Sequence, residues 1–108
     1  MLMSSHLKHL LAELKQGLMG LYGDRLKTVY LFGSYARGDY DESSDLDVMI
    51  VLSDYQSYGA EIDRTGELTS QLSLKYGMSI SRVIVKEVQW HQSDTPLLRN
   101  VRAEGVPA

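Results

Sequence analysis

The sequence contains no cysteine, which excludes disulfide bridges and thiolate metal centres and is typical of proteins in a reducing cytoplasm. It also lacks a long apolar segment, because the longest uninterrupted apolar run covers only residues 48–52. A helix that spans a bilayer needs about 20 apolar residues. We therefore expect a cytoplasmic protein that does not insert into a membrane.

An excess of positive charge is absent as well. The 11 Lys and Arg residues are outnumbered by 14 Asp and Glu residues, which gives a formal net charge of −3. Proteins that bind duplex nucleic acid are usually basic, since they must neutralise phosphates, so we expect no direct nucleic-acid partner. A single nucleotide stays compatible with this charge, because it needs only a local site. At 108 residues, the chain is predicted to form one domain over residues 1–108.

Hydrophobic periodicity predicts three helices. Leucines spaced at helical intervals predict an amphipathic helix over residues 5–22. The stripe of this helix consists of Leu7, Leu10, Leu11, Leu14, Leu18 and Leu21. A stripe from Tyr58 to Tyr76 predicts a second helix over residues 57–76, and Thr95 followed by Pro96 is typical of the start of a third.

Between these helices lie three segments with strand composition. Residues 27–32 and 79–85 are rich in β-branched and aromatic side chains, and residues 45–52 are almost continuously apolar, which favours burial on both faces. Residues 38–44 form a polar loop that is long for a hairpin. The order of elements predicts an α/β fold with a small mixed β-sheet flanked by helices.

Two carboxylates begin the second predicted strand. Because strand side chains alternate between faces, Asp45 and Asp47 are expected to point the same way, roughly 6–7 Å apart. Two such carboxylates repel each other, and a divalent cation would remove the repulsion. Oxygen ligands completed by water and phosphate are typical of Mg²⁺ sites, so the pair is a candidate magnesium site.

A glycine and a serine end the first predicted strand. Gly33 lets an anion approach the backbone closely, and Ser34 adds a hydroxyl donor at the start of a helical turn. Arg37 lies about one turn further on and either adds a cation to the site or pairs with Asp39 or Asp41. A phosphate cradle beside paired carboxylates indicates metal-assisted phosphoryl or nucleotidyl transfer.

These residues carry a resemblance to a known family. Gly33-Ser34, ten further residues and then Asp45-x-Asp47 resemble the signature of the polymerase-β-like nucleotidyltransferases. The run LFGSYARGDYDESSDLDVMIVL is similar to the minimal nucleotidyltransferase (MNT) branch of that superfamily. The leading helix and the tail LLRNVRAEGV are also MNT-like, so the resemblance covers most of the chain.

The resemblance implies a function and a set of roles. Asp45 and Asp47 would hold Mg²⁺, and Gly33 and Ser34 would bind the triphosphate of ATP, Ser34 also belonging to the catalytic set. Many MNT proteins are antitoxins paired with a HEPN-domain toxin, and they transfer AMP from ATP to a tyrosine hydroxyl of the toxin. The sequence is therefore expected to encode such an antitoxin, with ATP and the HEPN protein as partners.

One position departs from the family pattern. The superfamily usually carries a third carboxylate on a later strand, where this sequence has Ser81. Asp63 and Glu87 are the acids that could substitute for it. The departure leaves open a second hypothesis, a non-catalytic module that neutralises its partner by binding alone. A transferase acting on a small molecule such as an aminoglycoside is less favoured, because 108 residues leave little chain for a separate acceptor domain.

Overall fold

A mixed four-stranded sheet lies at the centre of the computed structural model, which describes residues 4–108. The strands are β1 (Leu26–Phe32), β2 (Leu46–Leu52), β3 (Ile80–Lys86) and β4 (Val106–Pro107). The helices are α1 (Ser5–Tyr22), α2 (Ser34–Arg37), α3 (Tyr58–Tyr76), α4 (Glu87–Gln92) and α5 (Pro96–Glu104). A 3-10 turn over Gly23–Arg25 joins α1 to β1.

The sheet has the strand order β3-β2-β1-β4. β1 runs antiparallel to both β2 and β4, whereas β2 and β3 are parallel. Parallel neighbours need a crossover connection, and α3 provides it between β2 and β3. The predicted mixed sheet flanked by helices is therefore confirmed.

β2 is the most deeply buried strand, because helices cover both faces of the sheet. Leu46, Val48 and Ile50 lie in a core formed with α1 and α3. Met49 and Val51 point to the opposite face, where they belong to a smaller cluster with residues of α5. The continuous apolar run of β2 is explained by this burial on two sides.

The predicted helix ends follow from local side-chain chemistry. The hydroxyl of Ser4 accepts a hydrogen bond from the Leu7 amide at the start of α1. Gly77 ends α3 at a φ of 66°, a left-handed conformation that favours glycine, and the Thr95 hydroxyl caps α5 ahead of Pro96. Within the described part of the chain, no helix is both long enough and apolar enough to cross a membrane.

Several helix positions differ from the predicted stripes. Leu21 is exposed, and Tyr22 is buried in its place. Tyr22 lies four residues after the buried Leu18, the spacing that keeps a side chain on the same helix face. Tyr58, expected in the α3 stripe, is 46% exposed because it is the first residue of the helix and lies beyond the region covered by α1.

Two short elements of the structure, α4 and β4, were not predicted from the sequence. β4 contains only Val106 and Pro107, which pair with Leu31 and Tyr30 at the edge of the sheet. Proline is tolerated at an edge strand, but it gives no strand signal in the sequence. Such a short strand depends on the exposed backbone of β1, which only the folded sheet provides.

A buried carboxylate connects α1 to α3. Glu61 is 4% exposed and accepts hydrogen bonds from the Tyr22 hydroxyl at 2.8 Å and from Arg64 Nε at 2.9 Å. Burial alone would raise the pKa of Glu61, but these two donors outweigh it and hold the pKa below its usual value. Burial and the adjacent carboxylate raise the pKa of Tyr22 to about 12. The two groups therefore stabilise the fold with Glu61 ionised and Tyr22 protonated.

We expect Tyr22→Phe to lower the free energy of unfolding by about 2 kcal/mol at neutral pH, because Glu61 loses a buried donor. A carboxyl whose pKa is lowered by folding stabilises the protein above its unfolded pKa, and this contribution is lost as the pH falls through the folded pKa. The loss caused by the substitution should therefore shrink in acid. Urea unfolding measures both effects, with the exposed Tyr58→Phe as the control. An equal loss in the two variants would contradict the prediction.

Candidate functional site

The two motif elements of the sequence meet where β1 ends and β2 begins. Phe32, the last residue of β1, pairs across the sheet with Asp47 near the start of β2. Gly33 and Ser34 follow directly after Phe32, and Asp45 immediately precedes β2. The antiparallel pairing therefore brings the Gly-Ser turn and the two carboxylates, ten or more residues apart in sequence, to one end of the sheet.

Gly33 lies directly against the Asp47 side chain. Its backbone has φ 74° and ψ −154°, a region that essentially only glycine adopts. A Cβ added at this position would overlap the Asp47 carboxylate. Both the backbone conformation and the close contact therefore require glycine.

The helical turn after Gly33 leaves backbone amides at the site without an acceptor inside the helix. The carbonyl of Gly33 accepts hydrogen bonds from the amides of Ala36 and Arg37, both at 3.1 Å, and so begins α2. Amides in the first turn of a helix have no acceptor within the helix. Those of Ser34 and Tyr35 occupy this position, next to the Ser34 hydroxyl. The turn thus presents hydrogen-bond donors beside two carboxylates.

The electrostatics of Asp47 reflect partial burial among charged neighbours. Burial raises the pKa of Asp47 above its ordinary value, and the negative charge of Asp45 raises it further. Arg37 and the Ser81 hydroxyl act in the opposite direction, without cancelling the shift. Asp45 itself is exposed. Burial and the adjacent carboxylate therefore outweigh the positive charge of Arg37 at Asp47.

Ser81, the residue expected from the family resemblance to replace the third carboxylate, lies beside Asp47. In the parallel ladder between β2 and β3, Ser81 is the register partner of Asp47. Its side chain is exposed on the face of the sheet that carries Asp47. The position is thus next to the carboxylate pair, with a hydroxyl in place of an acid.

Neither candidate substitute for the third carboxylate can reach Asp47. Glu87 follows the far end of β3, six residues from Ser81 and therefore roughly 20 Å away along the strand. Asp63 is exposed on α3, which covers the opposite face of the sheet. Among residues 4–108, no group of three or more acidic, histidine or cysteine side chains is arranged to hold a metal ion.

Arg37 is held by two carboxylates at the edge of the site. Its Nε donates to Asp39 at 3.1 Å, and its Nη1 donates to Glu104 at 3.1 Å. The ion pair with Asp39 is one of the two interpretations of Arg37 that the sequence left open. Arg37 is 47% exposed at the side chain and still close enough to Asp47 to lower its pKa. It therefore borders the carboxylate pair while bound to other acids.

Glu104 is a site residue that the sequence analysis missed. It is the last residue of α5, and the pairing of β4 with β1 brings this helix end next to α2. Gly105 makes the turn from α5 into β4, where a Cβ would overlap the carbonyl oxygen of Val101. The only sequence signal was the MNT-like tail that contains Glu104-Gly105, and it gave no indication of contact with Arg37.

We expect Gly33→Ala to lower the free energy of unfolding by about 1–3 kcal/mol, because alanine disfavours this backbone region and its methyl group overlaps Asp47. Chemical unfolding monitored by circular dichroism measures the change. Gly20→Ala is the matched control, since Gly20 lies inside α1 with nothing within 4 Å of an added Cβ, and alanine there should preserve or raise stability. Similar stability of the two variants would contradict the prediction.

Comparison with known proteins finds sequence relatives over most of the chain. The family described as "Polymerase beta, Nucleotidyltransferase" matches residues 18–107. The chain is also 41% identical over 78 residues to a Methanocaldococcus jannaschii protein named as a candidate protein adenylyltransferase. That match covers 72% of this chain and 78% of the relative.

Solved structures show the same fold. A toxin–antitoxin crystal structure with AMP-PNP superimposes with a TM-score of 0.62 at 22% identity, over 87% of this chain and 68% of that chain. A complex of a tri-AMPylated Shewanella oneidensis HEPN toxin with an MNT antitoxin gives a TM-score of 0.53 at 20% identity, over 91% of this chain and 70% of that one. At these identities the likeness concerns the fold alone. On the sequence matches, the chain belongs to the polymerase-β-like nucleotidyltransferase family.

Proposed function

We propose that this protein is an MNT antitoxin that transfers AMP from ATP to a tyrosine hydroxyl of a HEPN-domain toxin. One observation carries the proposal: the Gly33 backbone, which opens a turn rich in amide donors, touches the carboxylate of Asp47. A phosphate-binding turn and a metal-binding pair must be adjacent in a nucleotidyltransferase, because the metal ion also binds the phosphates of the substrate. The reaction belongs in the cytoplasm, where ATP is available.

The donor set at Asp45 and Asp47 fits Mg²⁺. Magnesium is usually bound by one or two carboxylates, with water and substrate phosphates completing the octahedron. The two aspartates supply those carboxylates, and the exposure of Asp45 leaves room for the remaining ligands. A bound magnesium ion would neutralise charge on the phosphates during transfer.

The triphosphate is assigned to the turn between β1 and α2. The amides of Ser34 and Tyr35 and the Ser34 hydroxyl are its hydrogen-bond donors, and Gly33 leaves space for a phosphate beside Asp47. Arg37 is placed to add a positive charge, since its exposed guanidinium borders this turn. Its ion pairs with Asp39 and Glu104 hold it beside this turn.

In the proposed reaction, the acceptor hydroxyl oxygen attacks the α-phosphorus of ATP. A new P–O bond forms to the acceptor, the bond to the β-phosphate oxygen breaks, and pyrophosphate leaves. The acceptor proton passes to solvent, because Ser81 cannot serve as a carboxylate base. The site thus contributes positioning and charge more than proton transfer.

The choice of acceptor and partner rests on the relatives. The Methanocaldococcus jannaschii protein is named for adenylyl transfer to protein, and the Shewanella oneidensis complex pairs an MNT antitoxin with an AMPylated HEPN toxin. The structure with AMP-PNP supports ATP as the nucleotide. A HEPN-domain protein is therefore the acceptor to test.

A second function is favoured by one specific observation, the serine beside Asp47. Without a third carboxylate, the chain could bind a HEPN partner and neutralise it by contact alone. The two functions differ in what the carboxylates do. Tight complex formation that survives loss of both aspartates, with no labelled AMP on the partner, would favour the binding module.

We expect Asp45→Ala and Asp47→Ala each to reduce transfer of labelled AMP to the partner by about 100-fold or more, because each removes half of the charge that holds magnesium. EDTA should abolish transfer by the unaltered protein. Asp63→Ala, which removes an exposed carboxylate on α3, is the control and should retain full activity. Transfer that persists in the first two variants would overturn the assignment of the metal site.

We expect Ser81→Asp to increase the rate of AMP transfer by about tenfold, because it places a carboxylate beside Asp47 where a third ligand and a base are missing. The rate at saturating ATP and magnesium is the measurement. Ser70→Asp, on the exposed face of α3, adds the same charge far from the site and should leave the rate unchanged. An unchanged or lower rate in a folded Ser81→Asp protein would contradict the prediction.

A further inference from the structure

A cavity of about 560 Å³ lies on one side of the proposed metal site. It is open to solvent and is bordered by the first residues of α1, by the end of α3 with the residues that follow it, and by the segment that runs from Tyr35 into β2. Asp45 is part of its wall. The cavity therefore connects directly with one of the two proposed magnesium ligands.

Resting on the proposed function, we infer that this cavity binds the acceptor tyrosine, together with a neutral or basic stretch of its polypeptide. Attacking and leaving oxygens lie roughly in line across the phosphorus, so acceptor and pyrophosphate occupy opposite sides of it. The triphosphate is assigned to the turn that begins with Gly33 and Ser34, after β1. Neither of these two residues lines the cavity, and of this turn only Tyr35 reaches its wall. Asp45 and Ser79 do line it, and Ser79 precedes β3 on the other side of β2.

The walls of the cavity suit an aromatic side chain. Tyr35 and Tyr40 stack with ring centroids 4.2 Å apart and planes 10° from parallel, and they form one wall. His6 and Tyr76 contribute a second aromatic pair, with ring centroids 5.1 Å apart. Aromatic rings that pack against such walls gain affinity beyond that due to the burial of their area.

The size and charge of the cavity favour a polypeptide over a nucleotide. Its volume lies within the range of about 300–1,000 Å³ that is usual for ligand sites and exceeds the space needed by a single phenol ring. Glu42 and Asp45 line it, whereas none of the described lining residues is lysine or arginine. Phosphates would be repelled by these acids, but a neutral or lysine-flanked segment would not.

A peptide titration followed by NMR tests the inference in the full chain. The probe is an acetylated, amidated Lys-Gly-Tyr-Gly-Lys peptide, titrated with and without magnesium and α,β-methylene-ATP, which does not transfer AMP. We expect the peptide to change the NMR chemical shifts of residues in the cavity wall. Replacing the tyrosine of the peptide by alanine, or its lysines by glutamates, should weaken binding.

Matched variants identify the occupant of the cavity. Tyr40→Ala removes an exposed side chain from the wall of the cavity. It should weaken binding of the peptide about fivefold and leave the affinity for the ATP analogue unchanged. His6→Ala, on the other wall, should act in the same direction. Tyr58→Ala removes a tyrosine of nearly equal exposure, 46% against 48% for Tyr40, at the opposite end of β2 and should change neither affinity.

Two results would overturn the inference. Weaker binding of the nucleotide analogue instead of the peptide in Tyr40→Ala would assign the cavity to the nucleoside. Chemical-shift changes elsewhere on the surface, or no binding of the peptide at all, would show that the acceptor does not occupy the cavity. AMP transfer to the HEPN partner tests the proposed function separately, because a chain that binds the peptide here but transfers no AMP would disprove only that function.

Discussion

The contact between the Gly33 backbone and the Asp47 carboxylate is the constraint on which the site depends. It exists because Phe32 and Asp47 are register partners in the antiparallel pair of β1 and β2. A slip of one residue would turn Asp47 towards the apolar core and place Leu46 or Val48 against the turn. The burial of the apolar side chains of β2 on both faces resists such a slip. The energetics of the core therefore fix the geometry of the proposed chemistry.

Charge around the site is arranged in two groups with different surroundings. Burial and the neighbouring charge of Asp45 raise the pKa of Asp47, and the more distant Arg37 offsets only part of this. Asp39 and Glu104 instead share Arg37, so their charges are compensated within the protein. A site for a divalent cation needs carboxylates whose negative charge is not neutralised by the protein, because the ion then supplies the missing positive charge.

The C-terminal segment completes the site from the far end of the sequence. Two residues of β4 extend the sheet beside β1, and the tight turn at Gly105 sets the end of α5 next to α2. Glu104 then reaches Arg37 across 67 positions of sequence. A short strand with little stability of its own thus positions a carboxylate at the site, through backbone pairing that other parts of the fold make available.

The sequence by itself determined the long helices, the three main strands and the identity of the motif residues. Helical periodicity, capping residues and apolar runs act locally, so α1 was placed to the residue and α3 and β2 to within one position. Gly33, Ser34, Asp45 and Asp47 were recognisable as a set because their chemical types and spacing are unusual together.

The tertiary structure decided what depends on contacts between distant segments. The pairing of Ser81 with Asp47, the distance of Asp63 and Glu87 from the site, and the bridge from Arg37 to Glu104 follow from strand register and helix placement. The aromatic cavity beside Asp45 is likewise assembled from three segments, each of which is unremarkable alone. Local sequence patterns carry no information on these distances, because they arise only when separate elements share one core.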